Sequence, residues 1–304
     1  MEYILETNQL EKTYHHFKAI NNLNIHVPKG SIYGLIGKNG AGKTTLIRLI
    51  CGLQKPTNGT YSIYNVLNTD KQILNVRKRM GAIVETPSIR LDATAEDNLK
   101  EQYKILGLPS LDNLSEILKL VGLNETGKKK ARNFSLGMKQ RLGIAIALVG
   151  NPDFLILDEP INGLDPEGII EIRELILRLN KEKGITFLIS SHYLDELSKI
   201  ATDYGFLNAG KIIKEIGKQE LEENCRKRIE IKVTNVKECI RYLEENTLSY
   251  EIKNDGKINI YDTVNITEFV VALSKRNCMI EEFNEKEESL ENYYINLIGG
   301  GDNV

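Results

Sequence analysis

Residues 37–44 read Gly-Lys-Asn-Gly-Ala-Gly-Lys-Thr and are the most informative run in this chain of 304 residues. The run fits the pattern G-x-x-x-x-G-K-[ST], a glycine-rich loop that holds nucleotide phosphates. Residues 31–36 before it are apolar and predict a buried strand, and residues 45–50 after it have helical spacing. A loop between a strand and a helix is the context that the motif requires, so the sequence predicts a P-loop nucleotide site.

The residue types in this loop explain how it would hold a phosphate. Gly37, Gly40 and Gly42 let the backbone bend so that several N–H groups point at an anion, and the helix N-terminus adds partial positive charge. Lys43 is expected to reach the β- and γ-phosphates, and the Thr44 hydroxyl is expected to bind Mg²⁺. An ordinary glycine-rich turn is the alternative, but the complete Gly, Lys and Thr spacing disfavours it.

A second motif, Phe154-Leu155-Ile156-Leu157-Asp158-Glu159, is an apolar strand that ends in two carboxylates. Mg²⁺ prefers oxygen ligands and keeps several waters, so Asp158 is predicted to be its protein partner. Alternation along a strand aims Glu159 in a different direction, and we predict that Glu159 polarises the attacking water. The two motifs together predict binding and hydrolysis of a nucleoside triphosphate with Mg²⁺.

Composition restricts the other possibilities. The chain is 41% hydrophobic and 27% charged, which is typical of a soluble globular protein. The longest apolar stretch, residues 142–149, is too short to cross a membrane, and residues 1–6 do not resemble a signal peptide. Four cysteines without a C-x-x-C pair predict free thiols. The net charge of −2 argues against nucleic acid as a partner, and the short basic run 128–132 is interpreted as a solvated connector.

The pattern of elements predicts two domains. Residues 1–217 contain the nucleotide motifs, with a helical subdomain at about 86–150 that comprises helices near 95–106, 111–121 and 138–149. Residues 218–304 are more acidic, and they predict the order β-α-β-β-α-β of a small split βαβ fold. We therefore expect an α/β nucleotide-binding domain followed by a small α+β accessory domain.

Three further motifs occur in a fixed order: Phe134-Ser135-Leu136-Gly137-Met138, Gly163-Leu164-Asp165 and Ser190-Ser191-His192. With the two motifs above, residues 1 to about 217 resemble the ATP-binding cassette (ABC) ATPases. The resemblance implies ATP and Mg²⁺ as cofactors and His192 as a histidine that contacts the γ-phosphate and the attacking water. Leu136 and Met138 depart from the usual Leu-Ser-Gly-Gly-Gln signature.

The resemblance also implies which residues form the site. Tyr14 matches the aromatic that stacks on adenine, with Phe17 as an alternative, and Asp165 matches the loop that communicates across a dimer of cassettes. Catalysis is assigned to Lys43, Glu159 and His192, and the metal to Thr44, Glu85 and Asp158. The expected nucleotide contacts are Tyr14, Gly37, Asn39, Gly40, Gly42, Lys43, Thr44, Thr45, Ser135, Gly137 and Asp165.

Glu85 stands where the family normally has glutamine, at the end of the strand 81–84. With the run Ser-Leu-Gly-Met-Lys-Gln-Arg at 135–141, it resembles the subgroup that exports bacitracin and lantibiotic-type peptides for resistance or self-immunity. The resemblance implies the motor subunit of an exporter at the cytoplasmic side of the cell membrane. Its partners would be a separate permease chain and a second cassette, in a homodimer or a heterodimer.

Three alternatives to an exporter motor fit the sequence less well. An importer motor would usually carry a β-barrel tail, unlike the mixed tail here. Soluble ABC ATPases of translation or DNA repair carry two cassettes or a long coiled-coil insertion, whereas residues 94–150 form a short helical insertion. A regulatory protein without turnover has no support, because Lys43, Asp158, Glu159 and His192 are all present.

Overall fold

The computed structural model describes residues 2–225, 227–253, 255–286 and 290–299. The chain divides into two compact units, one ending at Lys218 and the other beginning at Gln219. Among the described residues, no helix combines the length and the apolar character needed to span a bilayer.

The central sheet of the first unit contains six strands, which are β4 (Ile32–Ile36), β7 (Met80–Ile83), β8 (Phe154–Asp158), β9 (Thr186–Ser191), β10 (Asp203–Asn208) and β11 (Lys211–Gly217). Their order is β11-β10-β4-β9-β8-β7. All neighbours are parallel except β10 and β11, which pair antiparallel in a hairpin. Parallel strands end at one edge of the sheet, and ligands of such sheets bind outside that edge.

A second, antiparallel sheet lies in the same unit and consists of β1 (Tyr3–Tyr14), β2 (Phe17–Leu23), β3 (His26–Pro28), β5 (Asn58–Ile63) and β6 (Val66–Leu67). The sequence predicted separate strands over 2–8 and 22–28. Instead, β1 continues to Tyr14 and forms a hairpin with β2, in which Tyr14 pairs with Phe17. The turn residue His15 has a φ of +50°. A His-His turn lacks the Asn-Gly or Asp-Gly signal from which hairpins are recognised, so the pattern did not reveal it.

The helices of the first unit are α1 (Lys43–Ile50), α2 (Ile73–Arg77), α3 (Ala95–Ile105), α4 (Leu114–Leu120), α5 (Leu136–Leu148), α6 (Pro166–Lys183) and α7 (Leu194–Ser198). The three helices expected between residues 94 and 150 are confirmed as α3, α4 and α5. The short helix α7, which follows β9, was not predicted from the sequence. Thr94 starts α3 with a capping box in which its hydroxyl accepts the Asp97 N–H. Helix α1 packs on the main core with Leu46, Ile47 and Ile50, so the phosphate loop before it is fixed at the sheet edge.

The second unit begins within α8 (Lys218–Cys225). It continues with β12 (Arg228–Val233), α9 (Val236–Glu245), β13 (Tyr250–Ile252), β14 (Ile258–Ile260), α10 (Ile266–Lys275), β15 (Ile280–Lys286) and α11 (Leu290–Gly299). The sheet order β13-β14-β12-β15 places β14 between β12 and β13. This is the split βαβ arrangement that the sequence predicted. The run Asn254-Asp255-Gly256 predicts a turn between β13 and β14. Asn254 lies outside the described residues, and Gly256 has a φ of +81°.

Candidate functional site

The phosphate loop adopts backbone conformations that favour glycine. Gly40 has a φ of +82° and Gly42 a φ of +113°. A side chain at Gly42 would also approach the carbonyl oxygen of Ala19 to 2.7 Å, and one at Gly37 would approach that of Leu207 to 2.8 Å. Gly40 therefore requires glycine for its conformation, Gly37 for space, and Gly42 for both. Gly42 caps α1, so the loop ends at a helix N-terminus that favours an anion.

Lys43 begins α1 and is buried, with a relative exposure of 6%. Its Nζ donates to the Gly37 carbonyl oxygen at 2.5 Å and lies 3.4 Å from that of Lys38. The same Nζ lies 3.1 Å from Glu159 Oε1. The ammonium group is thus held inside the loop by two carbonyls, and it already contacts the proposed catalytic carboxylate.

Glu159 joins Lys43 to His192. Its Oε2 lies 2.8 Å from His192 Nδ1, while Oε1 contacts Lys43. The Glu159 backbone is left-handed, with a φ of +50°, which is uncommon for a residue other than glycine. Its N–H donates to the carbonyl oxygen of Ser190 at 3.1 Å and to the Ser190 hydroxyl at 3.0 Å. The structure therefore brings together all three residues that the sequence assigned to catalysis.

Asp158 ends β8 and is almost fully buried, with 1% exposure. Its Oδ1 accepts a hydrogen bond from the Ser190 hydroxyl at 2.5 Å. Its Oδ2 is buried and finds no hydrogen-bond partner within the described chain. A buried carboxylate oxygen without a partner is costly, and a hard divalent cation would satisfy it. The donor set at this position therefore fits Mg²⁺.

The other metal ligands would have to come largely from the nucleotide. No group of three or more His, Cys, Asp or Glu side chains suited to a metal occurs in the part of the chain that the structure describes. Mg²⁺ is usually held by one or two protein oxygens together with substrate phosphates and waters. Thr44, which follows Lys43 in α1, and Asp158 match that pattern.

Ser135, Gly137 and Asp165 lie at the N-termini of two helices. The Ser135 hydroxyl accepts the Met138 N–H at 3.2 Å and caps α5, and Asp165 Oδ1 accepts the Gly168 N–H at 3.0 Å and caps α6. In the described residues, no hydrogen bond or ion pair joins Ser135 or Asp165 to Lys43, Glu159 or His192. Within one copy of the chain, these two side chains therefore act as helix N-caps, and their assignment to nucleotide binding remains a prediction.

Tyr14 lies at the end of β1 with 37% exposure. Its hydroxyl bonds to the Gln54 side chain, and the Lys12 ammonium lies 5.2 Å from its ring centroid. Phe17, its partner across the hairpin, is 63% exposed. Both rings are accessible, so stacking of a base on Tyr14 remains a prediction with Phe17 as the alternative.

Glu85 follows β7 and also has a left-handed backbone, with a φ of +63°. Its Oε1 lies 2.5 Å from Nη2 of Arg48, which belongs to the last turn of α1. The Glu85 side chain is 56% exposed. No local sequence pattern predicts this ion pair, and the assignment of Glu85 to the metal remains a prediction.

Ser190 is a buried polar residue of the motif Ser190-Ser191-His192, and its sequence position alone predicts no role for it. It is fully buried and lies directly opposite Asp158 in the register of β8 and β9. A signal was present, because Ser190 and Ser191 end an otherwise apolar strand. What the sequence could not show is that this hydroxyl bonds both to Asp158 and to the Glu159 backbone.

Comparisons with known proteins agree with this geometry. Residues 20–162 match the family model described as ABC transporter. The chain is 41% identical over 306 residues to the bacitracin transport ATP-binding protein BcrA of Enterococcus faecalis, covering 99% of this chain and 98% of that protein. The chain belongs to the ABC transporter family.

Two further similarities concern the cassette. It is 43% identical over 223 residues to the lantibiotic transport ATP-binding protein SrtF of Streptococcus pyogenes, covering 72% of this chain and 95% of SrtF. It also resembles the dimeric post-hydrolysis structure of the ATP-binding cassette MJ0796 with ADP and Pi, with a TM-score of 0.63 and 25% identity over 70% of this chain and 98% of that one. The predicted family, fold class and ATPase activity are therefore confirmed: the cassette is the ATP-binding and ATP-hydrolysing subunit of an ABC transporter.

Proposed function

We propose that this cassette is the ATP-hydrolysing motor of an exporter for antimicrobial peptides of the bacitracin or lantibiotic type. The observation that carries the proposal is the similarity to a bacitracin transport ATP-binding protein over nearly the whole of both chains. Such a motor would give resistance or self-immunity by driving export of the peptide.

The proposed assembly contains three kinds of part. A separate integral-membrane permease supplies the pathway, and a second cassette, most simply another copy of this chain, completes the sites. The cassettes would lie on the cytoplasmic side of the membrane. The dimeric state of the related cassette MJ0796 supports the pairing, which would bring Ser135, Gly137 and Asp165 of one copy toward the phosphate loop of the other.

The roles of the residues follow from their contacts. ATP would supply the phosphoryl group and Mg²⁺ would neutralise its charge, with the metal held by Thr44 and Asp158. Lys43 holds its ammonium group within the glycine loop, where it would pair with phosphate oxygens. Glu159 is kept in place by Lys43 and His192, and it would accept a proton from, or orient, the attacking water.

The second unit is proposed to be an accessory or regulatory domain with boundaries near 218–304. SrtF matches this chain over 223 residues that make up 95% of its own length. A transport ATP-binding protein can therefore consist of little more than a cassette, which supports an accessory role for the additional unit. Residues 86–150 are proposed as the helical subdomain that faces the permease.

The proposal is tested by expressing the chain with its permease, identified by co-purification from native membranes, in a bacterium susceptible to these peptides. The minimum inhibitory concentrations of bacitracin and of a lantibiotic should rise several-fold, and that of an unrelated small antibiotic should stay unchanged. Lys43→Ala should abolish the protection. Lys183→Ala, the same substitution at an exposed ion pair with Glu116, should keep it. Unchanged peptide susceptibility with the intact complex would refute peptide export.

A further inference from the structure

The carboxyl ends of β8 and β9 carry a hydrogen-bond arrangement centred on one hydroxyl. Ser190 Oγ donates to Asp158 Oδ1 at 2.5 Å and accepts the Glu159 N–H at 3.0 Å. Ser190 is completely buried. Because a serine hydroxyl has only one proton, the bond to Asp158 fixes its orientation, and its lone pairs then face the Glu159 amide.

This arrangement has two consequences for the site. One oxygen of Asp158 is occupied by the hydroxyl, so the carboxylate cannot rotate freely and Oδ2 is left as the oxygen for an outside ligand. The Glu159 backbone is held in its left-handed conformation by a second acceptor besides the Ser190 carbonyl. That conformation is what directs the Glu159 side chain toward Lys43 and His192.

We propose that Ser190 is a positioning residue that sets the metal-binding carboxylate of Asp158 and the catalytic carboxylate of Glu159 through one hydroxyl. The inference rests on the proposed function for the metal at Asp158 but not on the identity of the transported peptide. Outer hydrogen-bond partners of metal ligands commonly change metal affinity or activity by about 10- to 100-fold when they are removed. An alanine at position 190 would remove both bonds and leave Asp158 Oδ1 without its donor.

A purely structural role for Ser190 is the alternative, and the chain offers a matched control for it. Thr7 also carries a buried hydroxyl with two hydrogen bonds. It donates to the Leu23 carbonyl oxygen at 2.9 Å and accepts from the Ile25 backbone N–H at 3.0 Å. It lies in β1, and among the described residues it makes no hydrogen bond to Lys43, Asp158, Glu159 or His192. Thr7→Val therefore removes the same two kinds of bond, while keeping the side-chain shape.

The experiment measures ADP binding by calorimetry on the full-length chain, once with Mg²⁺ and once with EDTA. Ser190→Ala should weaken ADP binding about 10-fold with Mg²⁺ and leave it unchanged in EDTA. Thr7→Val should change neither value. Ser190→Thr keeps a hydroxyl and should restore most of the Mg²⁺-dependent affinity, with thermal melting used to confirm that each variant is folded.

Steady-state hydrolysis supplies the second readout. Ser190→Ala should lower kcat by about 10- to 100-fold while KM for ATP at saturating Mg²⁺ changes much less. Equal weakening with Mg²⁺ and with EDTA, or wild-type values in both assays, would overturn the positioning role. A wild-type chain that hydrolyses ATP but gives no peptide protection would instead contradict the export function and leave this inference standing.

Discussion

Glu159 and Lys43 each have more than one partner in the site, so a substitution at either residue should disturb more than one contact. Glu159 contacts Lys43 through one oxygen and His192 through the other. Lys43 is shared between the loop carbonyls and Glu159. When phosphate oxygens occupy the loop, Lys43 gains a stronger partner, because charge-assisted bonds to phosphate are among the strongest in proteins. Glu159 then retains His192 as the group that orients it.

The ring of Tyr14 is accessible, so we expect the adenine base to stack on it and to contribute to the free energy of ATP binding. A base on an aromatic ring contributes about 1–3 kcal/mol, so Tyr14→Ala should weaken ATP binding roughly 5- to 150-fold. The wild-type chain should also bind GTP, because aromatic stacking tolerates different bases. Fluorescence titration with a labelled nucleotide measures both, with Phe17→Ala as the matched variant. An effect of Phe17→Ala alone would transfer the role to Phe17.

At the level of elements, the parallel sheet determines where the chemistry occurs. The strands β4, β8 and β9 end side by side, so the phosphate loop, Glu159 and His192 follow directly from neighbouring strand ends. Helix α1 extends from the loop into the core, and Arg48 in its last turn reaches Glu85 after β7. The Glu85–Arg48 pair thus links the helix that carries Lys43 to the start of the helical segment.

This link predicts that Glu85 affects transport more than hydrolysis. Glu85→Gln should retain most ATPase activity of the purified chain, because the amide still offers an oxygen ligand to Mg²⁺ and the exposed ion pair with Arg48 contributes about 1 kcal/mol or less to stability. Glu85→Ala should lower peptide resistance in cells more severely than it lowers the ATPase activity of the purified chain, and both quantities are measured in the same two variants. Arg48→Ala should reproduce the effect if the ion pair carries it. Wild-type resistance in Glu85→Ala cells would exclude a coupling role.

The sequence predicted most of these elements because their signals are local. The glycine spacing of the phosphate loop and the apolar strand before Asp158 are both readable within a few residues. The β1–β2 hairpin was missed because its register depends on pairing across the sheet rather than on a recognised turn. Ser190 and Arg48 were missed for a related reason: their partners Asp158 and Glu85 are 32 and 37 positions away in sequence.

At the level of the whole molecule, two separate copies are expected to contribute to each site. Lys43→Ala and Ser135→Arg homodimers should both be inactive, since each variant disables every site. A mixed dimer contains one site with both residues intact, so mixing the two variants should restore part of the hydrolysis rate. The measurement is ATPase activity across mixing ratios, with dimer formation followed by differently tagged chains. Absence of recovery in demonstrated mixed dimers would contradict a shared site.

The most direct test of the central claim measures ATP hydrolysis by the complex of the cassette and its permease in lipid vesicles, with and without the peptide. The wild-type rate should rise when peptide is added. Glu159→Gln should lower turnover by roughly 100- to 10,000-fold, the usual contribution of a positioned base, while ATP still binds. Glu116→Gln, the same change at an exposed carboxylate, should behave as the wild type. Peptide-stimulated hydrolysis at the wild-type rate in Glu159→Gln would contradict the account.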